Sequence, residues 1–230
     1  MVATLVARSV TVSRGSQLVL DSVDVTLAPG HRIGLVGPNG VGKSTLLRAL
    51  AGDVEIEAGS VELFPPTATI GLLPQEPECS PTETVHAYLR RRTGVSVAER
   101  ELEATTVALA EGVSGAEEQY AAALERWLSL GAADFDVRVA EVCSDLGINE
   151  MHLAQVTGSL SGGEAAKCSL ASLLLAQFDV YLLDEPTNNL DLDGLERMEH
   201  WIGGLDASVL LVSHDRTFLE RTITDVIEID

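Results

Sequence analysis

The nine residues Gly37-Pro38-Asn39-Gly40-Val41-Gly42-Lys43-Ser44-Thr45 carry the spacing G-x-x-x-x-G-K-[ST]. Glycines at those positions let a backbone wrap around phosphate oxygens with its N–H groups turned inward. A helix beginning at such a loop adds the partial positive charge of its N-terminus. Lys43 is then placed to face β- and γ-phosphates, and the Ser44 hydroxyl to ligate Mg²⁺. The chain has only two lysines, Lys43 and Lys167, and one of them falls on the position this chemistry needs. The stretch predicts a nucleoside-triphosphate site.

Leu182-Leu183-Asp184-Glu185-Pro186 places two carboxylates at the end of an apolar run. By themselves they read as ordinary solvated acids. Beside a phosphate loop they acquire roles: Asp184 as a magnesium ligand, direct or through water, and Glu185 as the base that polarises an attacking water. Ser161-Gly162-Gly163, ahead of an apolar and alanine-rich stretch, is either a helix cap or a second place where hydroxyl and N–H groups meet an anion.

These residues need elements to hold them. Arg32 to Val36 reads as a buried strand entering the loop, and Leu46 to Ala51 as a helix stopped by Gly52. Residues 4–12 and 18–27 read as antiparallel strands, and 59–63 and 68–73 as two more. Helical patterns cover 82–89, 98–111, 116–130 and 134–146. The third of these has Tyr120, Leu124, Trp127 and Leu128 on one face, and the fourth has Val137, Val139, Ala140 and Val142 inside. A further helix spans 165–176. The runs 178–183 and 208–212 are near-continuously apolar, each followed by a helical pattern, at 191–202 and 215–221. Such alternation predicts an α/β fold with a parallel core sheet.

Composition narrows the function. The chain has 230 residues, 46% hydrophobic, with 35 acidic against 15 basic residues and a net charge of −20. That balance excludes a broad basic face for nucleic acid. The run Arg90-Arg91-Arg92 reads as a solvated helix end. The three cysteines, Cys79, Cys143 and Cys168, form no C-x-x-C and predict reduced, mostly packed thiols in a cytosolic protein. No window holds 18 consecutive apolar residues, and no signal peptide is evident, so any membrane channel would have to come from other chains.

Taken in order, the motifs resemble the ATP-binding-cassette (ABC) ATPase family over essentially the whole chain. The order is the phosphate loop at 37–45, a glutamine loop at Gln75 and a signature at Leu160-Ser161-Gly162-Gly163-Glu164. Then come Asp184-Glu185, a D-loop at Asp191 and a switch histidine at His214. The resemblance implies a P-loop ABC core with a parallel sheet, an N-terminal antiparallel β-subdomain and a helical subdomain. The boundaries it implies put the β-subdomain and core at about 1–75 and 178–230, and the helical part, with an arm-like hairpin at 98–130, at about 76–177. It also implies roles: Gln75 on Mg²⁺ and the lytic water, His214 on the γ-phosphate, and Asp191 across a dimer interface. Ser161 and Gly163 would reach the γ-phosphate of ATP held by another cassette.

The wording of Leu73-Pro74-Gln75-Glu76-Pro77, Asp184 to Asp191 and Val212 to Leu219 is similar to the ABC-F group. Those are cytoplasmic proteins with two cassettes per chain that act on ribosomes, some in antibiotic resistance. This chain then looks like the first cassette of a longer one, with ATP and Mg²⁺ as cofactors, and a second cassette and the ribosome as partners. A transporter's ATPase subunit and a non-catalytic nucleotide sensor are the competing expectations. Two positions depart from the family: Arg14 stands where an aromatic residue usually stacks on adenine, and Glu164 replaces a common glutamine.

Overall fold

Apolar patterning decides which strands pair and which faces are covered. In the computed structural model, which describes residues 3–15, 17–76, 78–188 and 190–230, the chain forms two compact units. One comprises Met1–Pro77 and Phe178–Asp230, the other Glu78–Gln177. Pro77 and Asn189 of the motifs above lie outside the described residues.

The first unit contains two sheets. A three-stranded antiparallel sheet is ordered β2–β1–β4, from β1 (Thr4–Arg14), β2 (Gln17–Leu27) and β4 (Ala58–Phe64). In β1, Leu5, Ala7, Val10 and Val12 are all buried, which strict alternation forbids. An irregularity between Ala7 and Val10 resolves it, with Ser9 at φ 49°, so the strand changes phase and buries both apolar pairs.

The second sheet is five-stranded and parallel throughout, ordered β5–β6–β7–β3–β8. Its strands are β3 (Arg32–Val36), β5 (Ile70–Leu73), β6 (Val180–Asp184), β7 (Ser208–Val212) and β8 (Asp225–Glu228). Every residue of β6 and β7 is buried, which is why neither shows polar alternation. Helix α1 (Lys43–Ala51) buries Leu46, Leu47, Ala49 and Leu50 in a core shared with β1, β2, β3, β6 and β7. Helices α8 (Leu192–Gly203) and α9 (Arg216–Thr222) follow β6 and β7, capped by Asp191 and Asp215, whose carboxylates accept from Gly194 and Phe218 N–H.

The second unit is helical: α2 (Val85–Arg92), α3 (Val95–Ala110), α4 (Ala116–Ser129), α5 (Phe135–Asp145), α6 (Glu150–Ala154) and α7 (Gly162–Leu175). Helices α3 and α4 form a hairpin, tied by an Arg126–Glu101 ion pair at 3.4 Å. Its apolar face is weaker than expected: Leu128 and Leu109 are exposed, and the buried positions of α4 are the small Ala116 and Ala123.

Helix α5 also turns a different face inward. Val137 is 61% exposed and Ala140 is exposed, while Phe135, Val139, Cys143 and Leu146 are buried. Steps of four, four and three residues keep one side of a 3.6-residue helix, and Val137 falls opposite it. Helix α7 begins at Gly162, three residues earlier than its apolar run suggests, because Ser161 caps it.

The arginine run is not a bare solvated end. Arg90 pairs with Glu99 and Asp136, Arg91 with Glu78 and Glu83, and Arg92 with Glu78. These cations are committed to carboxylates of the same unit.

Candidate nucleotide site

Four strands of the parallel sheet end together. β3 runs into the loop 37–42, β5 into Gln75, β6 ends in Asp184-Glu185, and β7 runs into His214. Asp184 is in register with Val212 of β7, and Glu185 N–H donates to the Val212 carbonyl at 2.9 Å. Ligands of open α/β sheets bind at this carboxyl-terminal edge. The cleft there has a volume of about 490 Å³, and Asn39, Gly40, Gly42, Lys43, Ser44, Thr45, Gln75, Asp184, Glu185 and His214 line it. Gly37 and Pro38 border a neighbouring hollow with Lys43 and His214. Val41 closes the loop, its N–H donating to the Pro38 carbonyl at 3.4 Å.

The loop's shape requires its glycines. Gly42 has φ 114°, and a β-carbon there would lie 2.9 Å from Leu20 Cδ2 and 3.1 Å from the Val19 carbonyl. A β-carbon on Gly37 would collide with the backbone oxygen of Ile229. Lys43 is buried, and its Nζ donates to the Gly37 and Pro38 carbonyls at 2.8 and 2.9 Å, which fixes the cation over the loop.

The acids are equally constrained. Asp184 is 4% exposed. Burial pushes its carboxyl above the usual range, opposed by a hydrogen bond from the Ser44 hydroxyl and by the charges of Arg48 and Lys43. Its Oδ1 is buried with no hydrogen-bond partner among the described residues. An orphaned carboxylate oxygen next to a serine hydroxyl is the donor chemistry of a hard cation, so these residues fit magnesium. No group of three His, Cys, Asp or Glu side chains suited to a metal occurs among the described residues. The fit is therefore to an ion that takes its other oxygens from phosphate and water.

Glu185 is 6% exposed and has φ 52°, a left-handed conformation costing roughly 1–3 kcal/mol for such a residue. His214 N–H donates to its Oε2 at 3.1 Å, and His214 Nε2 stands 3.3 Å from its Oε1. The Thr187 and Ser213 hydroxyls are bonded at 3.2 Å, which joins the segment after β6 to the segment after β7.

Arg14 lines the cleft as well, together with Gln17, its register partner across the β1–β2 turn, and Val19. Gln17 and Val19 gave no sequence signal for this site. Each is an ordinary strand residue until the chain folds.

Ser161, Gly162 and Gly163 belong to the helical unit and stand at the start of α7. The strap 80–85 is stitched to 155–158 just upstream. Ser80 N–H donates to Thr157 Oγ1 at 2.8 Å, Thr157 N–H to the Glu83 carbonyl at 2.9 Å, and Val85 N–H to the Gln155 carbonyl at 2.9 Å. The Ser161 hydroxyl already has an acceptor within its own helix turn. It donates to Glu164 Oε2 at 2.7 Å.

A phosphate loop between strand and helix, with paired acids at the end of another strand of the same sheet, defines a P-loop nucleotide-binding protein. The family model described as "ABC transporter" matches residues 20–188, and the chain belongs to that family, as one of its ATP-binding domains. It is 37% identical over 227 residues to the tylosin resistance ATP-binding protein TlrC of Streptomyces fradiae, covering 96% of this chain and 41% of that protein. It is 31% identical over 225 residues to the energy-dependent translational throttle protein EttA of Mycobacterium tuberculosis, covering 97% of this chain and 40% of that one. It thus spans about two-fifths of the length of either relative. The fold matches a solved ATP-binding subunit of an ABC transporter with a TM-score of 0.73 at 19% identity, over 98% of this chain and 85% of that one. Among the described residues, no helix is long and apolar enough to cross a membrane.

Proposed function

We propose that this chain binds and hydrolyses Mg-ATP as a cytoplasmic cassette of the ABC-F group. Closure on a second cassette, driven by ATP, would couple hydrolysis to work on the ribosome, including resistance to antibiotics. One observation carries the catalytic part: the ends of β3, β5, β6 and β7 bring Lys43, Ser44, Gln75, Asp184, Glu185 and His214 to one cleft. The F-group part is supported by the wording of the Gln75, Asp184-Glu185 and His214 segments, and by relatives whose names tie them to tylosin resistance and to translation.

On this reading each residue has a role. The loop 37–45 offers N–H groups to the phosphates, and Lys43 neutralises charge on the β- and γ-phosphates. Ser44 and Asp184 would hold magnesium, with Gln75 near it, and the ion would supply positive charge to the phosphates. Glu185 accepts the proton of the attacking water, and its backbone tether to His214 aims it. His214 donates to the γ-phosphate. Arg14 lays its guanidinium against the base in place of an aromatic ring. Ser161, Gly162 and Gly163 complete a site on another cassette rather than this chain's own.

Two measurements test the proposal. Glu185→Gln lowers single-turnover hydrolysis by roughly 10²- to 10⁴-fold, the range for a lost general base, and leaves Mg-ATP bound; unchanged turnover refutes the assignment. Sedimentation with ribosomes should show co-migration that rises with ATP trapped by Glu185→Gln. Equal sedimentation with and without nucleotide refutes the ribosomal part.

A further inference from the structure

The start of α7 holds a hydrogen-bond chain that the proposed reaction does not account for. Asn149 N–H donates to His152 Nδ1 at 3.1 Å, and Asn149 Oδ1 accepts from His152 N–H at 3.1 Å. With Nδ1 an acceptor, the neutral ring carries its proton on Nε2, which faces Glu164 Oε1 at 3.2 Å. The other oxygen, Glu164 Oε2, accepts from Ser161 N–H at 2.8 Å and from the Ser161 hydroxyl at 2.7 Å. Ser161 Oγ in turn accepts from Glu164 N–H at 3.4 Å. The hydroxyl proton of Ser161 is therefore committed to a carboxylate, through a charge-assisted bond.

A serine in that state presents lone pairs, not a proton, to an anion. The carboxylate beside it is an added negative charge where phosphate is to arrive. We propose that Glu164 and His152 are positioning residues that set the readiness of Ser161 for a phosphate. Glu164 holds the hydroxyl proton back, and His152 weakens that hold by donating to the same carboxylate. The inference rests on the reading of Ser161 as the group that meets ATP held by a second cassette. Engagement then exchanges one acceptor of the hydroxyl proton for another, Glu164 Oε2 for a γ-phosphate oxygen. Glutamine at 164 keeps the cap on Ser161 N–H and removes the charge. Loss of His152 leaves that charge without the donor to its other oxygen, Oε1.

The two changes therefore push in opposite directions, which simple damage to the α7 cap does not do. In a Glu185→Gln background with Mg-ATP, sedimentation equilibrium reads self-association. Glu164→Gln should tighten it by about tenfold, the difference between a charged and a neutral acceptor for the hydroxyl. His152→Ala should weaken it a few-fold, and Ser161→Ala should abolish it.

A nucleotide-free readout stands beside this. Glu164 titrates below the usual carboxylate range, first because of the Ser161 hydroxyl and backbone bonds, then because of His152. Carbon-13 NMR of its carboxyl should show the midpoint rise in both Ser161→Ala and His152→Ala. Three outcomes overturn the proposal: Glu164→Gln and His152→Ala shifting association the same way, neither shifting it while Ser161→Ala abolishes it, or a Glu164 midpoint indifferent to both neighbours. Undiminished association in Ser161→Ala refutes instead the reading of the signature as a partner-facing group, and the gate falls with it.

Discussion

Lys43 shows how one side chain can be read twice. Its position in the motif gives its role, and its burial against the Gly37 and Pro38 carbonyls shows how the loop holds it ready. Lys43→Ala should weaken Mg-ATP binding by roughly 10- to 100-fold, the worth of about 1.5–3 kcal/mol for bonds to a charged group, measured by calorimetric titration. Equal affinity would remove the phosphate loop from the mechanism. The cysteines allow a second test. Burial pushes the Cys143 thiol to about 11 and the Cys168 thiol to about 12, whereas Cys79 is exposed. The thiolate is the reactive form, so at pH 8 an alkylating reagent should label Cys79 alone, and all three only after unfolding. Mass spectrometry that finds Cys143 or Cys168 modified in the folded chain contradicts this packing.

Helix α5 makes the case at the level of an element. Its inward stripe is Phe135, Val139, Cys143 and Leu146, and Val137 points to solvent. Val139→Ala deletes two buried methyl-sized groups and should cost about 1.5–2 kcal/mol at roughly 0.8 kcal/mol each. Val137→Ala should change stability by less than about 0.5 kcal/mol. Urea unfolding of both variants separates the two faces, and equal costs would contradict the helix's orientation. The expectation from sequence put Val137 inside because four valine and alanine residues crowd one stretch. Hydrophobicity alone does not fix the angular origin of a helix; the packing partner does.

For the molecule as a whole, charge is the governing quantity. A chain with net charge −20 repels its own copy. ATP-held association of the Glu185→Gln form should therefore strengthen as salt rises from 0.1 to 1 M, since the screening length falls from about 10 to 3 Å. Light scattering across that range measures it. Association that weakens with salt would show that specific ion pairs, not net repulsion, govern the contact.

The sequence by itself determined the loop 37–45, the acids Asp184 and Glu185, the starts of α8 and α9 to within a residue, and the buried parallel strands. Each is local: a spacing or an apolar run carries its meaning without neighbours distant in the chain. Only the tertiary structure decided the strand order β5–β6–β7–β3–β8, which aligns four segments far apart in sequence at one sheet edge. It alone brought Gln17 and Val19 to the cleft, left Asp184 Oδ1 without a hydrogen-bond partner among the described residues and twisted Glu185 to a positive φ. Those facts depend on which groups meet after burial, where desolvation and the few available partners set each side chain's state.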